Sequence, residues 1–183
     1  YFKMKTLLEK VLKAKSIAKK LEIIAKENDA VAVEGNIELF QNVIGAARHE
    51  VDRCWALAVI AKFDFEGKKD FLLGHARSFT IDPSEMGMAF VLLYLCGYRS
   101  EAEAYLTEVM GRERMQLINF RLRLLAFGNI FPQTKKWCQP ELESLAKEAP
   151  HLAVCCETPS LSKNMALYMR DWAPEMEAVL SSQ

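Results

Sequence analysis

Apolar residues recur along this chain at three- and four-residue steps, and no segment sustains the two-residue alternation of a half-buried strand. In residues 4–27, Leu7, Leu8, Val11, Leu12, Ala14, Ala18, Leu21, Ile24 and Ala25 form one stripe, with lysines on the opposite face. The spacing predicts one long amphipathic helix, stopped at Asn28-Asp29. Ile37, Leu39, Phe40, Val43 and Ile44 make the next stripe, closing at Gly45. Residues 46–63 carry a third stripe with Val51, Cys54, Trp55, Leu57 and Ile60, and residues 68–79 a fourth with Phe71, Leu72, Ala76 and Phe79. Asp82-Pro83-Ser84-Glu85 is a helix start: an oxygen acceptor for exposed N–H groups, a proline for the first turn, and a glutamate to complete a capping box. Residues 86–96 are apolar nearly all round, so that helix belongs at the centre, with Gly87 as a close-packing position.

Further helices are expected over 100–110 and 113–127. A break is expected at Phe131-Pro132, a short helix opened by Pro140 and ended by Pro150, and a last one opened by Pro159-Ser160 and kinked or ended at Pro174. Glycines at 35, 67, 97 and 128 each follow an apolar run, at steps of 32, 30 and 31 residues. A near-constant step of this size points to a helix-turn-helix unit used several times. The prediction is all-α: an irregular, α-solenoid-like stack of antiparallel helix hairpins with about eight to ten helices in a single domain. Residues 1–28 would form the long basic helix, 29–131 the hairpin repeats and 132–183 the C-terminal helices.

The run Ala32-Val33-Glu34-Gly35-Asn36-Ile37-Glu38-Leu39-Phe40-Gln41 resembles the middle of an ankyrin repeat, where the paired helices are linked. The run from Leu93 to Ala102, through Gly97, is similar to the turn of a tetratricopeptide-type hairpin. No Thr-Pro-Leu-His opening appears, and the tetratricopeptide tryptophan and closing proline are missing. The resemblance implies a helix-hairpin repeat without choosing a family. It also implies a protein that binds other proteins on its helical surface.

Composition fits a folded chain, with 51% hydrophobic and 26% charged residues. Net charge is zero, so no global field draws the chain to nucleic acid or to a membrane. The charge is uneven: residues 1–27 hold eight lysines against three glutamates. Five cysteines without a regular framework predict reduced thiols and a cytoplasmic setting, or a host cell's cytosol for a secreted effector. The chain opens at Tyr1, so a fragment of a longer chain is expected.

Chemistry leaves few local marks. His49, His75 and His151 are far apart, and no Cys-x-x-Cys or His-x-x-x-His spacing occurs, so no metal is expected. No Gly-x-Ser-x-Gly elbow and no phosphate-binding glycine run is present, so no catalytic residue and no cofactor is assigned. Two clusters suggest binding. Arg112, Arg114, Arg121 and Arg123 bracket an apolar helix, and Arg114 and Arg121 are seven apart, on one face, as an acidic-peptide patch would need. Tyr94, Tyr98, Tyr105 and Trp137 border glycine turns, where aromatic anchors beside arginine make binding hot spots. The candidate contact residues are Tyr94, Tyr98, Arg99, Arg114, Arg121 and Trp137.

The expected function is a non-catalytic protein–protein interaction module: an adaptor, an immunity-type inhibitor or an effector's recognition domain. One alternative is the helical domain of an enzyme whose site is assembled from distant residues, with His49 or His75 in a pocket. Another is an acidic-surface or lipid binder acting through residues 4–27.

Overall fold

A computed structural model describes residues 2–27 and 36–157. Among them are nine α-helices, two 3₁₀ segments and no strand, so the chain is all-α. The helices are α1 (Phe2–Lys13), α2 (Ile17–Ala25), α3 (Asn36–Gly45), α4 (Glu50–Ile60), α5 (Lys68–Arg77), α6 (Pro83–Leu95), α7 (Arg99–Met110), α8 (Ile118–Gly128) and α9 (Pro132–Glu148). The 3₁₀ segments are Glu113–Gln116 and Pro150–Cys156. Gly35, the first four residues of the ankyrin-like run and the helix expected after Pro159 lie outside the described residues.

Helix α6 is the centre, as its apolar sequence requires. Every residue from Met86 to Tyr94 is buried, and α6 packs against α4, α5, α7, α8 and α9. Asp82 caps it by accepting the Ser84 N–H at 2.8 Å, with Pro83 in the first turn. The expected capping box is not made. The Asp82 N–H that Glu85 would accept goes instead to Glu50 Oε2 at 3.2 Å. Gly87 does lie at a close approach: a Cβ there would sit 2.8 Å from the Leu124 carbonyl oxygen and 2.9 Å from Phe127 Cβ, on α8.

The periodic glycines do different work. Gly67 (φ 77°) and Gly97 (φ 87°) are left-handed, as a turn demands of a residue without Cβ. Gly128 is the last, buried residue of α8, where a Cβ would overlap Cys138 Sγ of α9. There Gly128 permits close packing, and Asn129 and Ile130 make the turn.

The helix expected over 4–27 is broken. Ser16 is extended and its Oγ accepts the Lys19 N–H at 3.2 Å, which starts α2 afresh. The chain folds back, and Lys20 points inward rather than to solvent. Its Nζ donates to the Val11 carbonyl at 2.8 Å and to Asn42 Oδ1 at 3.3 Å. The last turn of α1 has carbonyls without helical donors, and a lysine ammonium satisfies one of them. The region expected as one helix over 113–127 is likewise split, by Leu117 in extended conformation (ψ 121°).

Pro140 does not open a helix but lies inside α9. It has no N–H for the Lys136 carbonyl. Thr134, Cys138 and Leu142 are buried on both sides of it, so packing against α6 and α8 carries the helix through.

The α5–α6 loop is latched from two sides. The carboxylate of Glu50, buried on α4, accepts N–H groups from Thr80 (2.7 Å), Ile81 (3.0 Å) and Asp82 (3.2 Å). From the other side Arg112 donates to the Phe79 carbonyl at 2.6 Å and Arg114 to that of Thr80 at 3.4 Å.

Candidate interaction surface

The turn after α6 places the first elements of the site. The Tyr98 N–H donates to the Leu93 carbonyl and the Gly97 N–H to that of Tyr94, both at 3.1 Å, around left-handed Gly97. This paired closure fixes the angle between α6 and α7. Tyr94 ends up on the last turn of α6, only 6% exposed, with its ring 6.1 Å from that of Phe90. Arg99, the first residue of α7, lies with its guanidinium carbon 5.5 Å from the Tyr94 ring centroid.

Helix α9 supplies the other half. Lys136 Nζ lies 6.0 Å from the Tyr94 ring centroid and 5.1 Å from that of Trp137. Both are cation–π distances. The Trp137 indole N–H, then the Lys136 ammonium and the Arg99 charge, hold the Tyr94 phenol below its ordinary range against the opposing effect of burial. Trp137 itself is 42% exposed, a large aromatic partly open to solvent with a lysine ammonium over its ring.

The structure thus brings together Tyr94, Arg99 and Trp137 of the expected contact residues, and adds Lys136, which the sequence reading missed. Its signal was faint: a lysine beside a tryptophan, with Pro132 and Pro140 one turn to either side. The remaining candidates are elsewhere. Tyr98 packs half-buried against the core, and burial raises its phenol. Tyr105 is fully buried and its hydroxyl donates to the Ala76 carbonyl at 3.0 Å.

The arginines form no common patch. Arg114 lies in the 3₁₀ turn before Leu117, its guanidinium on the Thr80 carbonyl and 5.3 Å from the Phe120 ring. Arg121 is on α8, donating to the Met110 carbonyl at 3.2 Å and paired with Glu141. The break at Leu117 removes the helical register that would have aligned them. Arg112 is committed to the α5–α6 loop and to Glu108 at 3.5 Å.

Of the groups that could do acid–base or nucleophilic chemistry, His75, Cys54 and Glu85 are held in packing, while His49 is not. His49 is exposed at the start of α4. His75 packs edge-on to Phe71 at 4.7 Å, and burial, then the Arg53 charge, lower its imidazole. Cys54 is fully buried, and burial together with Glu85, Asp82 and Glu50 pushes its thiol far from the thiolate. Glu85 is held up to about 8 by burial, then by the neighbouring Asp82 carboxylate and the Glu50 charge, and its Oε2 is buried without a partner. Among the described residues no group of three His, Cys, Asp or Glu side chains could hold a metal ion, and no helix is long and apolar enough to cross a membrane. No family model, no curated protein and no solved structure matches the chain.

Proposed function

We propose that the chain is a non-catalytic protein–protein interaction module, an irregular stack of helix hairpins that docks another protein on the surface formed by Tyr94, Arg99, Lys136 and Trp137. What carries the reading is Trp137: a tryptophan 42% exposed, with Lys136 over its ring and over that of buried Tyr94, and Arg99 over Tyr94 as well. Tryptophan and arginine on a rigid base are what binding hot spots are built from. The five cysteines, all unpaired, favour a reducing compartment and thus the cytosol.

The test is a quantitative pull-down from native lysate with the wild-type chain, Trp137→Ala and Arg114→Glu/Arg121→Glu as baits, each checked for an unchanged melting temperature. Proteins retained by the wild type and lost with Trp137→Ala support the reading. An identical set with both wild type and Trp137→Ala refutes it.

A further inference from the structure

We infer, resting on the interaction reading above, that the Tyr94–Trp137 surface takes an acidic peptide segment, with carboxylates on Arg99 and Lys136 and an apolar side chain on the Trp137 ring. Several basic side chains are paired with carboxylates. Lys69 meets Glu101 at 3.1 Å, Arg77 meets Glu108 at 3.1 Å, Arg121 meets Glu141, and Lys19 and Lys26 share Glu22. Arg99 and Lys136 make no ion pair among the described residues and face aromatic rings instead. Glu103, one turn beyond Arg99, makes no ion pair with it.

The sequence around Lys136 leaves the charge uncompensated. Its helical neighbours one turn away are Pro132, Gln133, Gln139 and Pro140, none of them acidic. The side chains of the surface therefore offer donors. Arginine, lysine and the indole N–H are donors without an acceptor. A partner that covers Trp137 must desolvate two cations, and only a partner bringing acceptors with negative charge offsets that cost.

A peptide fits better than a nucleic acid. Phosphate-backbone binding needs many cations along a track, whereas this chain has zero net charge and the surface around Trp137 carries two cations, Arg99 and Lys136. An acidic segment with one apolar residue matches both the cation pair and the indole.

The experiment uses the full chain and a pair of capped, dye-labelled peptides of equal length. One alternates Asp and Glu around a leucine, and the other replaces each acid by its amide. Binding is read by fluorescence anisotropy at low and physiological salt. The acidic peptide should bind, weaken with salt, and bind roughly tenfold or more weakly to Arg99→Gln/Lys136→Gln. The amide peptide should bind at least about tenfold more weakly than the acidic one.

Equal binding of both peptides, binding unaffected by Arg99→Gln/Lys136→Gln, or no binding of the acidic peptide overturns the inference. So does tighter binding of a single-stranded oligonucleotide run in parallel. The interaction reading stands or falls separately on the Trp137→Ala pull-down, so the acidic inference can fail while that reading survives.

Discussion

Replacing Glu50 by glutamine removes one acceptor oxygen from the α5–α6 latch and puts a donor in its place. In the native chain Oε1 accepts from Thr80 N–H at 2.7 Å, while Oε2 accepts from Ile81 N–H at 3.0 Å and Asp82 N–H at 3.2 Å. A glutamine has one oxygen, so one side of the fork keeps its bonds and the other turns an N–H₂ toward backbone N–H. Charge-assisted hydrogen bonds are worth about 1.5–3 kcal/mol each, and an unmatched buried donor costs a further ~1–3 kcal/mol. Thr80, Ile81 and Asp82 are exposed, so water recovers part of the loss. The Arg53 contact at 3.6 Å adds little.

A net cost of about 2–4 kcal/mol follows for Glu50→Gln. In a chain of this size that is roughly 5–15 °C of melting temperature by circular dichroism. Hydrogen exchange gives a second, local readout: the amides of Thr80, Ile81 and Asp82 should lose protection before those of α6. A melting temperature within about one degree of wild type, with unchanged exchange at residues 80–82, would show that the latch does not hold the loop.

Other perturbations test the packing and the buried acids. Gly87→Ala forces a methyl against the Leu124 carbonyl and should cost about 1–3 kcal/mol. Gly74→Ala, at an exposed position of α5 with nothing within 4 Å, should stabilise by about 0.5–1 kcal/mol; equal melting temperatures for the two variants would contradict both. Glu85 sits at about 8 in the folded chain, above its unfolded value, so its contribution is present at acid pH and is lost as pH rises toward 8. Glu85→Gln should therefore flatten the pH dependence of stability between pH 5 and pH 8.5 and raise the melting temperature at the alkaline end; half-burial limits the gain to about 1–2 kcal/mol. Cys54 should resist a thiol reagent in the native chain at neutral pH and react on unfolding, and prompt native labelling of Cys54 would contradict its burial.

Local chemistry made several elements readable in advance. Nine consecutive buried positions in α6 are apolar in the sequence, and Asp82-Pro83 joins a preferred cap acceptor to a preferred first-turn residue. Gly97 announces a left-handed turn because no other residue adopts that conformation so cheaply. The break at Ser16 was hidden because Leu7, Val11, Leu21 and Ile24 keep helical spacing straight through it, with no glycine or proline to mark the bend. Pro140 misled for the opposite reason. It is a strong local breaker, and buried side chains on either side outweigh its ~3 kcal/mol cost.

The arginines show where a single sequence runs out and why the proposed contact surface differs from the expected one. Arg112 and Arg114 act on carbonyls of Phe79 and Thr80, more than thirty residues earlier, and nothing near them in the chain records that. A basic residue is available to a partner only if folding leaves it without an internal acceptor, and that is decided by long-range geometry. Arg99 and Lys136 are available because the Gly97 turn and the proline-flanked start of α9 place them over aromatic rings rather than beside carboxylates or loop carbonyls. The same glycine that tightens the turn therefore also sets the charge of the surface. A Gly97→Ala change, strained at φ 87°, should weaken partner binding through Arg99 even though the glycine touches no partner itself. If partner affinity stays unchanged while stability falls, the turn would be merely structural and the link between turn and surface would be wrong.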